Sequence, residues 1–319
     1  MRLGIDVGGS KLAFALAEEG GSGLVASRRI PWTPSGDAER DCEALVAGAR
    51  ALLAEASVSP QALEAIGVCA PGPLDADAGI VQSPPNLPGW RDVALTRRLA
   101  QEFGCSAALE NDANAAALAE WRARRGRGVS SLVFLTLSTG VGAGLVLDGR
   151  LYRGAGGLAG ELGHVPVVWD GEPCACGLRG CLEAYVGGAA WTRRLRRVTP
   201  EASVVAARAG GAARVLPEHV VAAAREGDAF ARAELERWNE HLARGLVGIA
   251  FALAPDVIAL GTIATAAGET LCLAPLRERL AARLWPHLAA AVHLELSALG
   301  ERLPFQAALA VAERAVRAS

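Results

Sequence analysis

Leu3-Gly-Ile-Asp-Val-Gly-Gly-Ser-Lys11 opens the chain with an apolar strand, an acid at its end, two glycines, a hydroxyl and a cation. A second apolar strand, Leu12 to Ala17, follows at once. A third, Leu24 to Ile30, comes after a Gly-Gly-Ser-Gly turn at 20–23, so the start reads as an antiparallel meander. The theme returns at Leu132 to Leu137, where Leu137-Ser-Thr-Gly-Val-Gly-Ala-Gly144 leads into another apolar strand, Gly144 to Leu147. Two halves that begin alike indicate an internal duplication of α/β lobes.

Between and beyond these hairpins the period lengthens to that of helices. Asp37 to Ala56, Trp90 to Phe103, Asp112 to Arg124 with Asn111 as cap, and Asp228 to Leu253 read as helices. Ala65 to Cys69, Ala107 to Leu109 and Asp256 to Leu260 read as buried strands, and 70–92 as a loop. Pro304 to Arg317 is an amphipathic helix expected to cross back to the first lobe. The expected division is therefore a smaller lobe of 1–120 plus a C-terminal helix at about 303–319, and a larger lobe of 121–302.

Composition agrees with two lobes, since 319 residues at roughly 150 per domain make about two. Charged residues are 21% of the chain and the net charge is -2, which excludes nucleic-acid binding through a general basic field and excludes intrinsic disorder. The first residues lack the apolar stretch of a signal peptide, and no run approaches the roughly 18 apolar residues of a membrane span. A cytoplasmic protein with no membrane partner is expected.

Asp6-Val-Gly-Gly-Ser-Lys11 suits phosphate: Gly8 and Gly9 let backbone N–H groups come close, Ser10 can donate, and Asp6 can hold Mg²⁺ directly or through water. An ordinary hairpin turn would also use Gly-Gly. Lys11, however, is the only lysine among 32 basic residues. Thr139 and Gly140 supply a second glycine loop. Neither loop has the G-x-x-x-x-G-K-[ST] pattern or the G-x-G-x-x-G of a dinucleotide fold.

Glu110-Asn-Asp-Ala-Asn114 sets two carboxylates and two amides at a strand-to-helix junction. Capping explains one such residue and does not require four. A carboxylate there can accept the proton of a hydroxyl that attacks a phosphoryl group. Of seven cysteines, Cys174, Cys176 and Cys181 fall within eight residues, after Glu161-Leu-Gly-His164. His164 with these three thiols matches a closed structural zinc site, although Cys-x-Cys is an unusual zinc spacing and a packed or reactive set is the alternative. Cys42, Cys69, Cys105 and Cys272 read as packed thiols.

These blocks, with Pro84-Pro-Asn-Leu-Pro-Gly-Trp90 and the Cys-x-Cys-Gly-x-x-Gly-Cys-Leu-Glu183 run, resemble in order the ROK family of repressors, open reading frames and sugar kinases. Within the family the chain looks closest to bacterial glucokinases. The resemblance implies a two-lobed, ribonuclease-H-like (actin-type) ATPase fold with a structural zinc loop, binding ATP and a hexose in a cleft. It implies Asp112 as catalytic base, and Asn86, Asn111, Glu161, His164 and Glu183 around the sugar with Gly72 close by. It implies Asp6, Gly8, Gly9, Ser10, Lys11, Thr139, Gly140 and Gly261 at the nucleotide with Mg²⁺, and zinc on His164, Cys174, Cys176 and Cys181.

The family further implies a homodimer or homotetramer. Fructose, mannose or an N-acetylhexosamine are the alternative substrates to glucose. A sugar-responsive regulator is a weaker reading, because regulators of this family carry a DNA-binding segment before the first glycine loop, and only five residues precede Asp6. A non-catalytic actin-like scaffold needs neither the Glu110–Asn114 block nor the cysteine loop. One departure stands out: relatives carry two or three glycines after the late strand, where this chain has Gly261-Thr-Ile-Ala264.

Overall fold

The computed structural model describes residues 1–18 and 23–318. The turn expected at 20–23 therefore lies, apart from Gly23, outside the described residues. The chain divides into two compact units, Met1–Ala123 with Arg153–Leu158 and Glu301–Ser319, and Arg124–Tyr152 with Ala159–Gly300. The division expected from sequence omits the return of Arg153–Leu158 to the first unit.

In the first unit, β1 (Arg2–Val7), β2 (Lys11–Ala17) and β3 (Leu24–Pro31) form the antiparallel meander. β4 (Ala65–Ala70) joins β1 in parallel. The short β5 (Leu74–Asp75) and β6 (Ile80–Val81) pair with each other inside the expected loop, and β7 (Ser106–Asn111) lies parallel to β4. The sheet order is β3-β2-β1-β4-β7. In the second unit, β8 (Leu132–Leu137), β9 (Val141–Leu147), β10 (Arg150–Tyr152), β11 (Val257–Leu260) and β12 (His293–Leu296) take the order β10-β9-β8-β11-β12. There too three antiparallel strands are followed by two parallel ones, so the duplication extends to topology.

Helix starts follow side-chain caps. Asp37 accepts from Glu39 N and Arg40 N ahead of the Ala38–Glu55 helix, and Asp228 accepts from Ala231 N ahead of Ala229–Leu253. The segment expected as one helix from Trp90 is helical only over Leu95–Phe103. Asp92 takes a positive φ of 50°, which stops helical continuation, and Trp90 instead buries its ring and donates from Nε1 to the buried Asp41 Oδ2 at 2.8 Å. The helix expected to run to Arg124 ends at Arg122, and the strand expected from Gly144 begins at Val141.

The Leu303–Ala318 helix packs on β1 and β4. Two glycines make the approach possible. A Cβ on Gly67 would lie 2.1 Å from Ala312 N, and one on Gly4 would lie 2.8 Å from Ala308 Cβ. Among the described residues no helix is long and apolar enough to cross a membrane.

Candidate active site

Strand register assembles the candidate site residues of the first unit. Asp6 on β1 pairs with Cys69 on β4, which pairs with Glu110 on β7, and all three strands run parallel and end together. Ligands of α/β sheets bind outside such carboxyl ends. The ends lead into the Gly8–Lys11 hairpin, the Gly72 loop and the Asn111–Asp112 junction. In the hairpin, Gly8 N donates to Lys11 O at 3.1 Å. Ser10 and Lys11 are exposed at its tip, and a Cβ on Gly9 would lie 3.4 Å from Asn86 Cβ, so Asn86 sits against the hairpin. A Cβ on Gly72 would lie 3.7 Å from Asn111 Nδ2.

The Glu110–Asn114 block divides its labour. Asn111 Oδ1 accepts from Ala113 N and Asn114 N and is the helix cap. Glu110 is 1% exposed and turned inward: Oε1 accepts from Asn114 Nδ2 at 3.1 Å, and Oε2 from Arg153 Nε at 2.9 Å and Arg314 Nη1 at 2.6 Å. Asp112, the first helical residue, is exposed, with Oδ1 accepting from Ala113 N. Sequence reasoning missed Arg153 and Arg314. Nothing in their immediate neighbours marks them, because their partner lies 43 and 204 residues away.

The electrostatics follow from this convergence. Burial, and after it the negative charge of Asp112, raises the Asp6 carboxyl from 3.8 to about 7. The fully buried Cys69 thiol is pushed up by burial and then by Asp6, Asp112 and Glu110. A divalent cation would reverse the effect on Asp6, and a half-buried carboxyl beside a second carboxylate is a donor set that fits Mg²⁺.

In the second unit, Ser138, Thr139 and Gly140 turn β8 into β9, with Ser138 and Thr139 exposed. The turn is held from behind: Gly188 N donates to Ser138 O at 2.7 Å, Ala189 N to Thr139 O at 2.9 Å, and Val141 N to Glu183 Oε2 at 2.9 Å. At the end of β11, Gly261 N donates to Leu135 O, and a Cβ on Gly261 would lie 2.9 Å from the Phe134 ring. The next residue, Thr262, has φ 53° and ψ -105°, a conformation natural to glycine and strained for threonine. Its hydroxyl lies 3.2 Å from Thr136 Oγ1, so the side chain turns toward β8.

His164, Cys174, Cys176 and Cys181 bring one donor atom each to within 4.8 Å of one another. His164 Nδ1 is 3.6 Å from Cys174 Sγ, and Cys176 Sγ is 3.7 Å from Cys181 Sγ. Thiolates on one tetrahedral zinc, each about 2.3 Å from it, lie about 3.8 Å apart, so the donor set fits that ion. The other ring nitrogen, His164 Nε2, is 3.8 Å from Glu161 Oε2. The structure thus gathers Asp6, Gly8, Gly9, Ser10, Lys11, Gly72, Asn86, Asn111 and Asp112 in the first unit. Thr139, Gly140, Glu161, His164, Glu183, Gly261 and the cysteines are in the second.

Two α/β units of one topology, each turning its first strand through a glycine hairpin, with a carboxylate at a strand-to-helix junction, define an actin-type phosphotransferase fold of the sugar-kinase class. The chain belongs to the ROK family, whose model matches residues 2–315. It is 34% identical to the glucokinase of Thermotoga maritima over 301 residues, 94% of this chain and 93% of that one. A ROK hexokinase from Thermus thermophilus superposes with a TM-score of 0.79 at 32% identity over 99% of both chains. A ROK glucokinase from Streptomyces griseus, solved with glucose and AMPPNP, gives 0.78 at 29% identity over 98% of this chain and 99% of that one.

Proposed function

We propose that the protein transfers the γ-phosphoryl group of ATP to a hexose hydroxyl, with glucose the preferred sugar and glucose 6-phosphate the product. The observation that carries this reading is Asp112, an exposed carboxylate at the first position of a helix whose cap is its neighbour Asn111, beside Asp6 and the first glycine hairpin. The sugar oxygen attacks the γ-phosphorus as the bond to the β–γ bridging oxygen breaks, and Asp112 takes the hydroxyl proton. A carboxylate is a weak base for a hydroxyl, so transfer is late and most of the rate comes from positioning.

Asn86, Asn111, Glu161, His164 and Glu183, with Gly72, orient the hydroxyls in this reading. Gly8, Gly9, Ser10, Lys11, Thr139 and Gly140 hold the phosphates, and Gly261 lies at the nucleoside. Mg²⁺, held through Asp6, would screen the phosphate charge. Zinc on His164, Cys174, Cys176 and Cys181 would be structural, since all four positions are filled by protein. We place the enzyme in the cytoplasm as a homodimer or homotetramer.

A coupled ADP-release assay with ATP and Mg²⁺ across glucose, mannose, fructose, N-acetylglucosamine and N-acetylmannosamine tests the substrate. Glucose is expected to give the highest kcat/KM, and a keto or N-acetylated sugar ranking above it would overturn the assignment.

Thr262 bears on the donor. Where the family resemblance leads one to expect glycine, Thr262 holds a backbone conformation strained for threonine with its hydroxyl against Thr136, while both hairpins keep their glycines. We expect modest ATP affinity and use of GTP, ITP or polyphosphate alongside ATP. Thr262→Gly should relieve strain of about 1 kcal/mol and tighten ATP by roughly tenfold if crowding costs about 1.4 kcal/mol. Strong ATP preference in the wild type, unimproved by glycine, would show the position to be silent.

A further inference from the structure

Glu183 links two parts of the second unit. Its Oε2 accepts from Val141 N at 2.9 Å, and its Oε1 lies 3.9 Å from Sγ of Cys174, one of the four clustered donors. Val141 begins β9 directly after Thr139 and Gly140, and is 5% exposed. A buried backbone N–H left without an acceptor is costly, so the carboxylate sets where the chain leaves the turn. Packing is close as well: a Cβ on Gly140 would lie 2.4 Å from Glu183 Oε2, and one on Gly187 would lie 2.8 Å from Glu183 O.

The cluster in turn fixes Glu183. Cys181, two residues before it, bridges Pro166, and Leu182 N donates to Val165 O at 3.0 Å, so the segment carrying His164 and the segment carrying Glu183 are tied together. The chain around Cys174 closes by Cys174 N to Leu178 O at 2.9 Å. A metal on the four donors would hold these segments in one arrangement, and with them the acceptor of the Val141 amide.

We propose that Glu183 is a positioning residue that couples the metal-holding loop to the Ser138–Gly140 turn, so that filling the Cys₃His cluster sets nucleotide affinity even without sugar. The proposal rests on the reading of that turn as a phosphate loop. Zinc-loaded protein is compared with protein stripped by a chelator under reducing conditions. Hydrogen exchange is followed at the Val141 amide, and the Kd for Mg²⁺-ADP is measured by calorimetry with no sugar present.

Stripping is expected to speed Val141 exchange at least about tenfold and to weaken ADP roughly tenfold, the worth of one lost hydrogen bond in a buried site. In steady state it should raise KM for ATP more than it lowers kcat. Glu183→Gln, whose amide oxygen still accepts, should stay within about threefold of wild type in ADP affinity, while Glu183→Ala should match the stripped protein. If the stripped protein unfolds, zinc-loaded Glu183→Ala carries the same two measurements. Unchanged Val141 exchange in folded stripped protein, or in Glu183→Ala, overturns the coupling. Faster exchange with unchanged ADP affinity overturns its nucleotide half and shows that the phosphate-loop reading is what failed.

Discussion

Asp112→Asn is expected to lower turnover by roughly 10²- to 10⁴-fold, the usual range for removal of a general base, while leaving glucose affinity largely intact. The amide keeps the shape of the side chain and can still accept from Ala113 N, but it cannot take the hydroxyl proton. Stability is the control that separates this from helix capping. The cap belongs to Asn111, whose Oδ1 accepts from both Ala113 N and Asn114 N, so Asp112→Asn should cost no more than about 0.3–1 kcal/mol through the helix dipole. Asn111→Ala should cost about 1 kcal/mol. Turnover of Asp112→Asn within about threefold of wild type would remove the residue from the base role.

Asp6→Asn should show the opposite pairing of effects: activity lost, stability gained. In the folded protein the Asp6 carboxyl is raised from 3.8 to about 7, first by burial and then by Asp112. A raised carboxyl holds its proton in the folded state after the unfolded chain has released it. Its contribution to stability is therefore complete below about pH 4 and is lost as pH rises through about 7. A shift of about three pH units corresponds to at most about 4 kcal/mol, and solvent at the half-buried side chain lowers this to on the order of 2 kcal/mol. Thermal melts without divalent cation should show Asp6→Asn drawing ahead of the wild type between pH 4 and 7 and holding its lead at pH 8. Added Mg²⁺ and nucleotide should raise the wild-type Tm at pH 8 by more than that of the variant. Equal pH profiles for the two proteins would mean that Asp6 titrates as an ordinary carboxylate.

How far the sequence could be read depended on whether the marker was local. Glycine beside a strand end, or Asp and Asn before an apolar period, are local chemistry, and Gly8–Lys11, Asp37, Asn111 and Asp228 stand where such chemistry put them. Trp90 to Ala94 misled because apolar residues at helical spacing also describe a segment pinned by one buried indole on Asp41. The four short strands β5, β6, β10 and β12 carry too few residues to establish a period. Glu110 read as one of two site carboxylates, yet its partners Arg153 and Arg314 come from remote segments. Glu183 was legible as a member of the cysteine block. Its bond to the Val141 amide, 42 residues upstream, was not, because a backbone acceptor leaves no residue type to recognise.

The first unit is discontinuous along the chain, and that sets an order of events during translation. Residues 1–123 leave the ribosome early, but the helix that covers Gly4 and Gly67 and supplies Arg314 to Glu110 belongs to 303–318. At about 5–20 residues per second, the nascent first sheet waits through the whole synthesis of the second unit with one face uncovered. Residues 124–300, the second unit but for 153–158, are thus made between the two main parts of the first. The Arg314–Glu110 pair behind the Asp112 junction therefore forms only after 301–318 has emerged.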